Sequence, residues 1–196
     1  VAQLDKNPHT EKVVVAGSAR RMQETVGDVD ILITSKKSEA VMNMFVSLPE
    51  VGRVMVKGST KSVVKLKNGL EIDLRVVAPE CFGAALQYFT GDKNHNVEIR
   101  KIAITKGYKL NEYGLYKGNK IVAGKTEEEI YNKLGFKYIE PELRILSGEI
   151  ELARNHKLPK LIEYGSLKGD LQVQTNWTDG ENSIEEMAKA AMEVGL

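Results

Sequence analysis

The sequence predicts an α+β fold laid out as two successive modules followed by a short C-terminal piece, and three observations carry that expectation. A β-branched run ends at Gly17-Ser18 and, after one short amphipathic stretch, gives way to the acidic run Asp28-Val29-Asp30-Ile31-Leu32. Three further strand-like runs come in succession, the last two joined by Asn68-Gly69. Beyond Pro79 the pattern changes to helices alternating with short strands punctuated by glycine.

Residues 12–16 read as a strand because β-branched side chains suit a pleated surface. Gly17 turns the chain into a helix expected over about 18–25 and closed by Gly27. Along 28–34 the apolar positions 29, 31 and 33 alternate with the aspartates, so Asp28 and Asp30 share one face. Ser38 is the expected N-cap of a helix through Leu48, with Val41, Met44, Phe45 and Leu48 as its apolar stripe. Strands are expected at 53–57, 62–67 and 70–77, and Asn68-Gly69 predicts a type I′ hairpin between the last two. In the last of these Ile72, Leu74 and Val76 alternate with Glu71, Asp73 and Arg75, which puts a third carboxylate on a strand expected beside the first acidic one.

In the second module helices are expected at 80–89 and 97–105, with 90–96 as the turn between them. Short strands follow at 108–110, 114–116 and 120–122. Thr126 and Glu129 predict a capping box for a helix that ends at Gly135, and Glu140-Pro141-Glu142 stops the unit. Residues 147–169 read as a polar connector around a short helix. A new strand is expected at 171–175, then an amphipathic helix at 183–195.

With 196 residues the chain can bury one full core and a second small one. A net charge of +1 gives no whole-chain footprint for nucleic acid, but a sum hides patches and argues only weakly against that partner. The single cysteine, Cys81, excludes an intramolecular disulfide and a Cys-rich zinc module; beside Phe82 it reads as a small core residue. No apolar run approaches the ~18 residues a membrane span needs, and no basic-then-apolar leader opens the chain, so a cytoplasmic protein is expected. Val1 in place of methionine, and a final helix that stops where a strand would follow, predict a fragment of a longer protein.

A lone Asp-x-Asp is more often solvated than catalytic, and a lone Gly-Ser after a strand is more often a turn. Joined at this spacing, with Asp73 downstream, they make an oxygen-rich set suited to a hard divalent ion such as Mg²⁺, next to backbone N–H groups and arginines suited to a polyphosphate.

Gly17-Ser18-Ala19-Arg20-Arg21 with Gly27-Asp28-Val29-Asp30-Ile31-Leu32 resembles the palm of the family X DNA polymerases, within the nucleotidyltransferase superfamily that includes DNA polymerase beta. The resemblance continues through Ile72-Asp73-Leu74-Arg75, Tyr88-Phe89-Thr90-Gly91, Asn96, Arg100, Lys106-Gly107-Tyr108, Asn111-Glu112-Tyr113 and Lys137-Tyr138-Ile139-Glu140-Pro141. Lys93-Asn94-His95-Asn96 is similar to the bacterial and archaeal branch. It implies a palm with a mixed sheet and helices on one face over 1–78, a small α/β thumb over 79–146, a linker over 147–169 and a truncated βα segment over 170–196.

The resemblance also implies roles. Asp28 and Asp30 would bridge two Mg²⁺ ions, with Mn²⁺ as a substitute, and Asp73 would ligate the catalytic one. Two metals ~4 Å apart stabilise the attacking and leaving oxygens of an in-line displacement. Asp73, or a metal-bound water, would take the primer hydroxyl proton. Gly17, Ser18, Arg21 and the Gly27 backbone match contacts to the nucleotide phosphates; Tyr88, Phe89 and Gly91 match the sugar-lining segment, though the two rings also fit a helix core. Lys93 and Asn96 join the nucleotide set, Asn96 and Arg100 matching residues that read the minor-groove edge of the nascent pair. Arg75, His95 and Arg100 are the candidates on the DNA side, where His95 also fits a solvated turn and Arg75 an ion pair with Asp30. Arg20 has no matched role and is expected in solvent. The implied partners are a dNTP and primer-template or gapped DNA, for a monomeric, nucleoid-associated, gap-filling polymerase without its N-terminal DNA-holding domains.

Residues 159–180 resemble the linker and opening strand of a histidinol-phosphatase-type (PHP) domain. That strand normally carries His-x-His, and here Gln172 and Gln174 stand there, so neither a metal site nor phosphoesterase activity is expected from this piece. His9 and His156 read as surface residues. A nucleotidyltransferase acting on a small acceptor and a non-enzymatic DNA-binding module of the same fold are the alternatives.

Overall fold

Two acidic strands lie side by side because each has an apolar face to bury and a polar face to share. After α1 (Ala2–Asp5), β1 (Lys12–Val15) leads through α2 (Gly17–Arg20) into β2 (Asp28–Thr34); α3 (Ser38–Val46), β3 (Val51–Lys57), β4 (Lys61–Leu66) and β5 (Glu71–Val77) follow. The strands form a mixed sheet in the order β1-β2-β5-β4-β3, with β2 and β5 parallel and the other pairs antiparallel. This computed structural model describes residues 1–163 and 165–196, and the chain divides into two units, Val1–Leu158 and Pro159–Leu196.

One face of the sheet packs Ile31, Ile33, Val64, Leu74 and Val76 against Leu4 of α1 and Val41, Met42 and Phe45 of α3. Each fully buried aliphatic side chain here contributes about 2 kcal/mol. The opposite face of β2 is buried at Leu32, against Ala16 and against Phe82, Ala85 and Leu86 of α4 (Phe82–Thr90). Burial on both faces explains why residues 31–33 are continuously apolar while the start of β2, beyond the reach of α4, carries aspartates.

After α4 come α5 (Lys93–Thr105), the antiparallel sheet β6 (Lys109–Asn111), β7 (Gly114–Lys117) and β8 (Lys120–Ala123), then α6 (Glu127–Lys133) and α7 (Glu149–Arg154). Their core gathers Ala84, Ile99, Leu110, Leu115, Ile130, Tyr131, Leu134 and Ile139. Ile150 and Ala153 of α7 are buried in that core, so the short helix expected within a connector is held by the module before it.

Several local expectations change. The helix expected to reach residue 25 stops at Arg20, where Met22 takes a φ of +53°, because the polar run after it offers no apolar face to bury. Asn68 keeps a negative φ and only Gly69, at +92°, is left-handed, with its N–H donating to the Leu66 carbonyl; the turn therefore has three residues with glycine at the left-handed position, not type I′. Ser38 lies inside α3, and Ser35 instead accepts from the Lys37 N–H. Thr126 caps α6, but the Glu129 carboxylate accepts from Gly124 and Lys125, which leaves the box half made.

The turn expected over 90–96 shrinks to Gly91 and Asp92. The Asp92 carboxylate accepts from the Asn94 and His95 N–H groups, a side-chain cap that starts α5 four residues early. Cys81 is half-buried, not a core residue.

In the second unit α8 (Ile184–Val194) forms as expected, with a complete capping box between Ser183 and Glu186 and a left-handed Gly195 at its end. The strand expected at 171–175 does not form; alternation alone cannot satisfy a strand's backbone, and Leu171 is fully exposed. Residue 164 of the expected connector lies outside the described residues. Among the described residues no helix is long and apolar enough to cross a membrane.

Candidate functional site

Parallel pairing of β2 with β5 sets Asp30 opposite Asp73 and Asp28 opposite Glu71. The carboxylate of Asp30 is pushed up to about 6 by burial, then by the charges of Asp28 and Asp73, against the opposing pull of Arg75 and Lys61. Oδ2 of Asp73 pairs with Lys61 Nζ at 3.1 Å and with Arg75 Nη2 at 3.5 Å, while its Oδ1 is buried without a partner. Arg75 thus pairs along its own strand with Asp73, not across the sheet with Asp30. Its guanidinium also covers the Phe89 ring at 4.4 Å.

Gly17 is required twice over. Its φ is +63°, and a Cβ there would collide with the Asp30 carboxylate. The backbone between β1 and α2 can therefore lie directly against the acid, which places half-buried Ser18 at the same edge. Asp28 and Gly27 are exposed at the mouth, with open space around the Gly27 backbone.

Arg20, expected in solvent, is instead 18% exposed and pairs with Glu127 of α6: Nη2 lies 2.6 Å from Oε2 and Nη1 3.0 Å from Oε1. It also donates to the Thr90 hydroxyl at 2.6 Å and to Tyr138 at 3.3 Å. Arg144, wholly buried, closes the cluster at 2.6 Å from Oε1 of Glu127, an oxygen it shares with Arg20. Burial pushes the Glu127 carboxyl up, but the two guanidiniums outweigh it and hold the group below its ordinary range. Arg21 donates to the Thr90 carbonyl and lies beneath Gly91, where a Cβ would stand 2.9 Å from its Nη1.

Tyr88, Gly91, Lys93, Asn96 and Arg100 line one hollow of 230 Å³. Tyr88 and Phe89 meet edge to face at 5.1 Å, both half-buried, and the Arg100 guanidinium stands 5.9 Å from the Tyr88 ring. Asn96 is 8% exposed; its carbonyl accepts from Gln87 and its amide donates to the Tyr88 carbonyl. His95 does not belong to this surface. It is fully buried on the opposite side of α5, with Nδ1 2.6 Å from Glu149 and Nε2 3.0 Å from the Tyr131 hydroxyl. The i, i+4, i+8 spacing of His95, Ile99 and Ala103 was the available sequence signal for that burial.

Among the described residues no three His, Cys, Asp or Glu side chains stand close enough to hold a metal ion. The donor chemistry nevertheless fits a hard divalent cation: Asp30 and Asp73 supply only carboxylate oxygens, one of them buried and unpartnered, and like charge crowds around Asp30.

Residues 1–76 match the family model described as DNA polymerase beta palm, and residues 85–145 match DNA polymerase beta thumb. The chain is 37% identical over 196 residues to "DNA polymerase/3′-5′ exonuclease PolX" of Bacillus subtilis, covering 98% of this chain and 34% of the relative. It therefore spans about a third of that relative's length. It is 32% identical over 147 residues to "Repair DNA polymerase X" of African swine fever virus, covering 69% of this chain and 83% of the viral protein. The structure of Leishmania infantum polymerase beta in a ternary P/T complex superposes with a TM-score of 0.60 at 28% identity, covering 68% of this chain and 67% of that one.

Proposed function

Because the chain belongs to the family X DNA polymerases, we propose that it adds a deoxynucleotide from a dNTP to a primer 3′ hydroxyl in gapped DNA. The observation that carries this reading is the register that sets Asp30 beside Asp73, against a glycine turn that only a missing side chain permits.

Asp28, Asp30 and Asp73 would hold Mg²⁺, which when bound supplies charge stabilisation for the attacking and leaving oxygens. Asp73 Oδ1, whose partner oxygen is already engaged by Lys61 and Arg75, is the atom available to receive the primer hydroxyl proton. Ser18, Arg21 and the open Gly27 backbone receive the nucleotide phosphates. Tyr88, Phe89 and Gly91 line the sugar, the backbone at Gly91 leaving little room for a 2′ hydroxyl. Lys93 joins the nucleotide contacts, and Asn96 and Arg100 face the nascent pair.

The Bacillus subtilis relative is also named a 3′-5′ exonuclease. We assign no such step to residues 170–196, because the carboxamides of Gln172 and Gln174 are poor ligands for a catalytic transition metal. Primer extension on a short gapped duplex with Mg²⁺ tests the main reading. Templated addition lost in Asp73→Ala supports it; transfer to a small acceptor without DNA, or DNA binding without transfer, overturns it.

A further inference from the structure

Helix α5 presents two different faces. Lys93, Asn96 and Arg100, spaced i, i+3 and i+7, line the hollow with Tyr88. His95, Ile99 and Ala103 face the core, where the two aliphatic residues make packing contacts that carry no preferred direction of their own. Hydrogen bonds add one, because they are directional.

His95 is the only core-facing residue of the three able to make them, and both its ring nitrogens are engaged. Nδ1 meets Glu149 Oε1 at 2.6 Å and Nε2 meets the Tyr131 hydroxyl at 3.0 Å. Glu149 is itself fixed by the Leu146 N–H on Oε1 and the Ser147 N–H on Oε2. Gln87 donates to the Asn96 carbonyl at 2.6 Å. Asn96 in turn donates to the Tyr88 carbonyl at 2.7 Å. Two polar chains therefore grip consecutive residues of the same turn of α5: Glu149, His95 and Tyr131 at one, and Gln87, Asn96 and Tyr88 at the next. All of these side chains but that of Tyr88 are buried.

We propose that His95 and Glu149 are positioning residues for the incoming nucleotide, setting the rotation of α5 and hence the placement of Asn96 and Arg100. The inference rests on the polymerase reading given above. It adds that nucleotide selection depends on α7, a helix that contributes no residue to the lining of the hollow. The amide of Asn96 is the reporter: with both of its polar ends bound, its direction follows any turn of the helix.

His95→Phe keeps the volume of the ring and removes both hydrogen bonds; Glu149→Gln removes the charge and keeps the shape. At temperatures well below each variant's unfolding, both raise the KM for the correct nucleotide roughly tenfold and lower discrimination against a mismatched one, with kcat within about twofold of the parent. His95→Asn, which retains an N–H where Nδ1 stood, recovers most of the KM. An unchanged KM and unchanged discrimination in both His95→Phe and Glu149→Gln overturn the proposal while leaving the polymerase reading intact. If the parent chain extends no primer, that reading fails separately. The side-chain amide resonance of Asn96 in the nucleotide-free protein then decides: displacement in both variants supports the positioning role, and coincidence with the parent overturns it.

Discussion

Arg20 and Glu127 form a two-point ion pair, at 2.6 Å and 3.0 Å, that joins α2, the helix opened by Gly17, to α6 across 107 residues of sequence. Glu127 is shared with buried Arg144. Removing the carboxylate therefore strands two cations, whereas removing Arg20 leaves one cation still matched to its acid.

Glu127→Gln should cost about 3 kcal/mol of folding free energy and Arg20→Ala about 1–2 kcal/mol, because the partly exposed Arg20 site can rehydrate. Denaturant unfolding of the two variants and their double mutant checks the order. Equal costs would contradict the account.

Gly17→Ala should be severe for chemistry and modest for folding. The left-handed backbone costs about 1–2 kcal/mol with a Cβ present, and the methyl displaces the Asp30 carboxylate that it meets. Nucleotide addition is expected to fall about 100-fold or more. Single-turnover extension beside a melting curve separates the two effects.

In the metal-free protein Asp30 should titrate near pH 6, observable by carboxyl ¹³C NMR. A carboxyl with a raised folded-state value holds its proton more tightly in the folded chain than in the unfolded one. Stability therefore declines as pH rises from its ordinary value of 3.8 through about 6. Asp30→Asn should abolish addition yet stabilise the metal-free chain at neutral pH by about 1 kcal/mol, after discounting for solvent screening. Added Mg²⁺ should move the parent's titration downward.

Glu127 and Glu149 have the opposite sign. Burial pushes both up but their partners win, Arg20 and Arg144 for the first and His95 with backbone donors for the second, so both lie below 4.5. Their stabilisation is complete above 4.5 and is lost as pH falls through the lower folded-state values. Melting temperature should drop as pH falls below 4.5, and drop less steeply in Glu149→Gln.

Alternation and turn residues made the strands legible, including the polar face of β5, since a period of two is local information. The parallel register of Asp30 on Asp73 is not local, since α3, β3 and β4 lie between the two strands in the chain. Arg20 was unreadable for the same reason: its partner lies in a helix whose first turn holds three glutamates, and nothing in the chain singles out Glu127. His95 is hidden by its neighbours, since Asp92 reads in sequence as part of a turn and only in the fold becomes the cap that opens α5. The alternation of Leu171 and Val173 promised a strand, but a strand needs a neighbour.

Thr90 is gripped at both ends, its hydroxyl by Arg20 and its carbonyl by Arg21. Two consecutive arginines in the first module thus read one threonine in the second, and Glu127 beyond it. A hybrid joined near residue 78 to an unrelated second module would lose the partners of both arginines at once, even though each module has its own sheet and its own core.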